Sequence, residues 1–207
     1  MKIETIEKFK GSTWCVIFDD ESRIYINAEV MSEYNLKQGM SLPQNAVDEI
    51  VYANDKRRAR ERALYLLSVR DHSFTELYKK LERNYDESIC LDVCNSLASK
   101  KIIDDIRYAE RLARQLFEVK KAGKYKVRQE MRMKGLSDEL IEDAIEKYED
   151  CSSDLLKELV DKKYARYLTD EKGIRKVKSA LVRQGYSFSE IKNVLETYDY
   201  EDEDFQE

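Results

Sequence analysis

Residues 123–145, GKYKVRQEMRMKGLSDELIEDAI, and residues 173–195, GIRKVKSALVRQGYSFSEIKNVL, are two versions of one sentence set fifty positions apart. They share Gly123/Gly173, Lys126/Lys176, Val127/Val177, Gly135/Gly185, Ser137/Ser187 and Ile141/Ile191, and exchange like for like at Arg128/Lys178, Met131/Leu181, Ala144/Val194 and Ile145/Leu195. Apolar residues four apart, then glycine, then serine, then apolar residues at helical spacing predict two helices joined by a tight turn. Gly135 and Gly185 fall where the first of these helices must stop, a left-handed C-cap position that glycine occupies cheaply. Ser137 and Ser187 follow as N-caps of the next helix.

Working outward, a longer apolar-periodic stretch precedes each copy. Asp104 leads into Tyr108, Leu112 and Leu116, and Ser153 into Leu156, Leu159, Val160 and Tyr167. The same long–short–short rhythm is present in diverged form upstream. Pro43 starts a helix carrying Val47, Ile50, Ala59, Ala63 and Leu67; Ser73, with Glu76 at the capping-box position, starts a second; Ile89, Val93 and Leu97 mark a third. Before this, STWCVIF and RIYIN read as a hairpin across DDES, with Ile3–Lys8 as a further strand and AEVMSEYNL as a short helix capped by Asn27.

The expected fold is therefore mainly α: three tandem three-helix units after a small β-rich N-terminal extension. The bounds are 1–45 for the extension, 46–103, 104–151 and 152–200 for the units, and 201–207 for an acidic tail. A unit of this size cannot bury its apolar face alone, so an extended, curved array is expected in preference to one collapsed bundle.

Composition narrows function. Charged residues are 38% of 207, with one proline and one histidine. A Ser-His-Asp or Cys-His catalyst would have to use His72, which reads better as a capping or solvated side chain. No phosphate-cradling glycine loop occurs. Asp104 and Asp105 precede a helix, where carboxylates serve the cap and the dipole. The cysteines Cys15, Cys90, Cys94 and Cys151 are scattered and read as reduced, buried thiols. No enzyme, cofactor or metal site is expected, nor a membrane span or secretion signal, and the location expected is the cytoplasm.

The net charge of −5 hides segregation by element. Residues 120–134 hold seven basic residues and one acidic, and residues 172–183 hold five basic and none acidic. Residues 138–150 hold seven acidic and one basic. Arg128 and Arg132 share a helix face with Lys124 a turn earlier, and Arg175 and Lys178 sit on the matching helix. If the units stack, these helices lie side by side. Lys124, Arg128, Arg132, Arg175 and Lys178 then form a basic stripe, the last four without an obvious acidic partner in their own helices. They are the candidate partner-binding residues.

ALYLLSVRDHSFTELYKKL (63–81), IIDDIRYAERLA (102–113) and KVRQEMRMKGLSDELIEDAI (126–145) resemble the three signature stretches of the RecX family, over roughly residues 55–198. The chain departs from that pattern at His72, where a second basic residue is usual, and at Tyr85 and Lys101, where glycine is usual. The resemblance implies a non-enzymatic regulator of DNA repair, homologous recombination and the SOS response. It would act as a monomer, binding RecA and the RecA–DNA filament and chiefly inhibiting recombinase and coprotease activities, with weak DNA contact as an adjunct. The competing reading is a protein that binds single- or double-stranded nucleic acid directly through the basic helical face. A hydrolase would need a carboxylate cluster that the sequence does not assemble.

Overall fold

In the computed structural model, which describes residues 1–198, the N-terminal β-branched runs form an antiparallel sheet of β1 (Ile3–Lys10), β2 (Thr13–Phe18) and β3 (Arg23–Asn27) in the order β1-β2-β3. Asn27 ends β3 and caps α1 (Ala28–Glu33), its side chain accepting from the Glu29 N–H at 2.9 Å. The helix α2 (Gln44–Val69) begins directly after Pro43, as the fixed φ of proline favours. Ile3, Val16, Phe18 and Ile26 of the sheet bury against Val47 and Ile50 of α2. One polar residue enters this packing. The Asn54 amide accepts from the Asn27 N–H at 3.0 Å and donates to the Tyr25 carbonyl at 3.2 Å, so α2 closes the outer edge of β3.

From α2 onward the helices come in threes, as the sequence rhythm predicts. α3 (Phe74–Leu81) and α4 (Glu87–Ser99) complete the first set. α5 (Asp105–Arg114), which runs on as a π-helical stretch over Gln115–Val119, is followed by α6 (Lys124–Met133) and α7 (Asp138–Glu146). α8 (Ser152–Lys163), α9 (Glu171–Arg183) and α10 (Phe188–Leu195) form the last set. The expected run of α8 through Tyr167 is not observed. The helix stops at Lys163, and Ala165–Tyr167 form a 3-10 turn whose Tyr167 carbonyl packs where a Cβ on Gly173 would lie. Only glycine allows α9 to start this close, capped by Asp170.

Two compact units divide the chain. One comprises Met1–Asp71 and Leu77–Ile103, the other His72–Glu76 and Asp104 onward. The second unit has two apolar clusters that repeat each other. Val127, Met131, Ile141 and Ile145 are buried in one, and Val177, Leu181, Ile191 and Leu195, fifty positions later, in the other. The tail expected over 201–207 lies outside the described residues.

The repeated glycines do more than end helices. Gly135 and Gly185 have φ of +75° and +95°, the left-handed values expected of them. Each also lies against the start of an earlier helix. Within the second unit, the Gly123 N–H donates to the Gln184 carbonyl at 2.9 Å and the Tyr125 N–H to the Gly185 carbonyl at 3.1 Å. The Gln184 side chain donates to the Lys120 carbonyl at 2.6 Å, and the Tyr186 hydroxyl to that of Lys121 at 3.1 Å. A Cβ on Gly185 would fall 2.5 Å from the Lys126 backbone nitrogen. The same joint occurs fifty residues earlier, where Ser73 Oγ donates to the Lys134 carbonyl and Thr75 packs on Gly135. Within the second unit, the turn of the last three-helix set is thus stitched to the helix start of the set before it.

Candidate partner-binding face

The five basic residues proposed from sequence are on the surface of the second unit, and carboxylates lie beside Lys124, Arg128, Arg132 and Arg175. Arg128 forks onto Glu142 of α7, Nε to Oε1 at 2.7 Å and the terminal nitrogen to Oε2 at 2.6 Å. Arg132 Nε meets Asp138 at 2.7 Å, and Lys124 Nζ meets Glu149 at 3.1 Å. Arg175 pairs with Glu171 one turn earlier in its own helix, so the expectation of no acidic partner within the helix does not hold for it. Lys178, at the position matching Arg128, is half-buried on α9. The acidic stretch 138–150 is therefore the local complement of the basic stretch 120–134, brought together because Gly135 folds α7 back along α6.

Arg128 shows the consequence. Its guanidinium is held further into the charged range by the hydrogen bond to Glu142, whose own carboxyl is pulled below the usual range by the same bond. Exposed pairs like these stabilise the fold by only about 0–1 kcal/mol. They remain available for exchange with a partner's carboxylates or phosphates.

The helices that carry the residues do not lie side by side. α6 and α9 meet through the start of one, Gly123–Lys126, and the turn after the other, Gln184–Tyr186. The basic residues are consequently spread along the joined sets. Exposed apolar side chains accompany them. On α6, Tyr125 (63% exposed) and Met133 (71%) flank Gln129, and with Arg128 and Arg132 they line an open groove of ≈ 370 Å³. Tyr125, Gln129 and Met133 are not among the candidates that the basic spacing singles out. The signal was present, since 125, 129 and 133 share a helix face with no buried member.

Other singled-out residues turn out structural. Asp104 caps α5, accepting from the Arg107 N–H at 3.0 Å. Asp105 instead caps α3, accepting from the Phe74 N–H at 2.8 Å, and burial raises its pKa. His72 is buried rather than solvated. Cys15, Cys90 and Cys94 are buried free thiols and Cys151 is half-buried; burial pushes Cys94 up to about 12. Among the described residues no group of three or more His, Cys, Asp or Glu is placed to hold a metal, and no helix is long and apolar enough to cross a membrane.

A mainly helical chain of repeated three-helix sets, joined turn to helix start and carrying its candidate residues on open helix faces, is a helical-repeat protein. Family models described as the second and third three-helix domains of RecX match residues 104–145 and 150–195. The regulatory protein RecX of Clostridium acetobutylicum is 30% identical over 202 residues, covering 94% of this chain and 93% of that protein. That of Prosthecochloris aestuarii is 32% identical over 69% of this chain and 95% of the relative. A crystal structure of a regulatory protein RecX superposes with a TM-score of 0.68 at 24% identity, over 94% of this chain and 98% of that one, and supports the fold. The chain belongs to the RecX family.

Proposed function

We propose that this chain is a non-enzymatic, cytoplasmic regulator that binds the RecA recombinase filament and mainly inhibits its recombinase and coprotease activities. The observation that carries the reading is similarity to regulatory RecX proteins along 94% of the chain. The surface supports it. Lys124, Arg128, Arg132, Arg175 and Lys178 are distributed over two successive three-helix sets, the arrangement suited to contact along a polymer. They alternate with exposed Tyr125 and Met133, the mixture found at the centre of protein interfaces. Three of the five already sit beside carboxylates of α7 and of the turn that follows it, so a protein surface that offers both charge and apolar contact is a better complement than phosphate alone.

The test is a pull-down on RecA filaments beside naked single-stranded DNA at two salt concentrations, together with inhibition of strand exchange. Binding is expected to require RecA. Retention on DNA without RecA, with a log–log salt slope near about −3 for four phosphate contacts at ~0.7 each, would establish the direct nucleic-acid reading instead.

A further inference from the structure

A register shift between Lys8 and Lys10 leaves Phe9 without an opposite number on β2, and a bulge of this kind re-aims a side chain. The Phe9 ring meets Tyr25 of β3, centroids 4.8 Å apart and edge to face at 61°. At 63% and 45% exposure the two rings add little to the core. They line an open pocket of ≈ 440 Å³ between the sheet and α2, within the size range of small-molecule sites.

The helix contributes Arg57, Arg58 and Glu61 to the same pocket. The Arg57 guanidinium forks onto Glu61 at 2.9 and 3.2 Å, and its Nε donates to Glu29 at 2.8 Å. Its charge is met and its plane is fixed, so what it still offers is a flat face for stacking. Arg58 is exposed and lies 3.6 Å from Asp55, beyond hydrogen-bond reach, and Lys10 is exposed at the end of β1. The hydroxyls of Ser12 and Thr13 add hydrogen-bonding groups to the lining.

Rings, a fixed guanidinium and two exposed cations suit a nucleotide. An uncharged base stacks on aromatic rings and on guanidinium planes, and a phosphate takes the cations. A carboxylate-rich peptide suits the pocket less, because it would approach Glu29 and Glu61, which Arg57 already holds.

We propose that this pocket binds a nucleotide, the base against Phe9, Tyr25 and the Arg57 guanidinium and the phosphate against Lys10 and Arg58. A free nucleotide and one unit of a single strand offer the same chemistry. The inference does not rest on the RecA-filament reading, since the pocket is in the first unit and the candidate partner-binding residues are in the second. On a single strand, one phosphate contact gives a shallow log–log salt slope of about −0.7.

The test is an amide NMR titration of the full-length chain with AMP, adenosine and a short oligodeoxyadenylate. Saturable shifts at Phe9, Thr13 and Tyr25 are expected with AMP, and weaker binding with adenosine, which lacks the phosphate. An oligonucleotide that binds more tightly than AMP would assign the pocket to a strand, and the reverse order to a free nucleotide; either supports the proposal. Phe9→Leu is expected to weaken AMP binding about tenfold, the scale of one lost stack. The double variant Lys10→Gln with Arg58→Gln is expected to bring AMP down to the level of adenosine. All three positions are exposed, so the wild-type melting temperature should hold. Shifts absent from the wild type, or binding undiminished in either folded variant, would overturn the proposal. So would the same shifts produced by a polyglutamate peptide and not by AMP. Failure of the wild-type chain to bind RecA would leave the proposal standing.

Discussion

At Asn54 one side-chain amide stands in for a neighbouring strand. It is 3% exposed and satisfies the Asn27 N–H and the Tyr25 carbonyl of an edge strand. Asn54→Leu would keep the volume and strip both bonds, leaving the buried N–H without its acceptor at a cost of about 1–3 kcal/mol. Urea unfolding should show that loss, with Asn54→Asp, which keeps the acceptor, falling between. Lys101 makes the opposite case. It holds φ at +56°, at the position where family resemblance calls for glycine. A Cβ there is penalised by about 1–2 kcal/mol, partly offset by the freedom glycine loses on folding. Lys101→Gly is therefore expected to stabilise the chain by a few tenths to about 1 kcal/mol; a lower midpoint would refute this. At this scale the candidate site was half legible. Spacing identifies Arg128 and Arg132 as sharing a face, but their partners Glu142 and Asp138 lie beyond a turn, and only the turn's geometry brings them within 3 Å.

Among elements, the joint between Gly123–Lys126 and Gln184–Tyr186 should tolerate least. Gly185→Ala would force a Cβ into a left-handed residue and into the Lys126 backbone. The expected result is a loss well above the ~1–2 kcal/mol of the left-handed penalty alone, with faster amide exchange at Gly123 and Tyr125. Gly39→Ala, at φ +84° with nothing within 4 Å of a Cβ, isolates that penalty for comparison. Beside the joint, Glu158 accepts from Lys121 and Lys162, both at 2.5 Å, and these bonds lower its pKa from 4.5 to about 2. With a depressed native pKa, whatever stability the contact adds is complete above about 4.5 and lost as pH falls towards 2. A carboxyl titration by NMR should place the midpoint near 2, moving back towards 4.5 in Lys121→Met; an ordinary midpoint in the wild type would remove the contact. The helices themselves were legible, because 3.6-residue periodicity, cap serines and turn glycines are local signals. The joint was not. It depends on hydrogen bonds between backbones about sixty residues apart, for which the repeated glycines are the sole trace, and they read first as turns. The early stop of α8 was hidden for the same reason, since Tyr167 keeps the apolar spacing while its carbonyl fills the space that Gly173 leaves by lacking a Cβ.

For the whole molecule, the question is what the N-terminal sheet contributes. Its apolar cluster takes in Val47 and Ile50 of α2, whereas the two repeated clusters of the second unit begin at Tyr108. The Prosthecochloris relative is spanned to 95% by 69% of this chain, so shorter members of the family exist. Removing residues 1–45 should therefore expose Val47 and Ile50, each worth about 1.5–3 kcal/mol of burial, and orphan Asn54. The second unit should keep its own cores, including the Phe117–Tyr148 stack at 4.6 Å. The expected outcome is a lower-melting first unit, amide protection at Val127 and Leu181 unchanged, and inhibition of RecA reduced no more than the lost stability explains. Amide exchange read residue by residue separates these effects. Loss of protection at Leu181 would mean that the sheet supports the core of the second unit. Complete loss of inhibition by a truncated chain that keeps that protection would move the partner contact from the helical sets to the sheet.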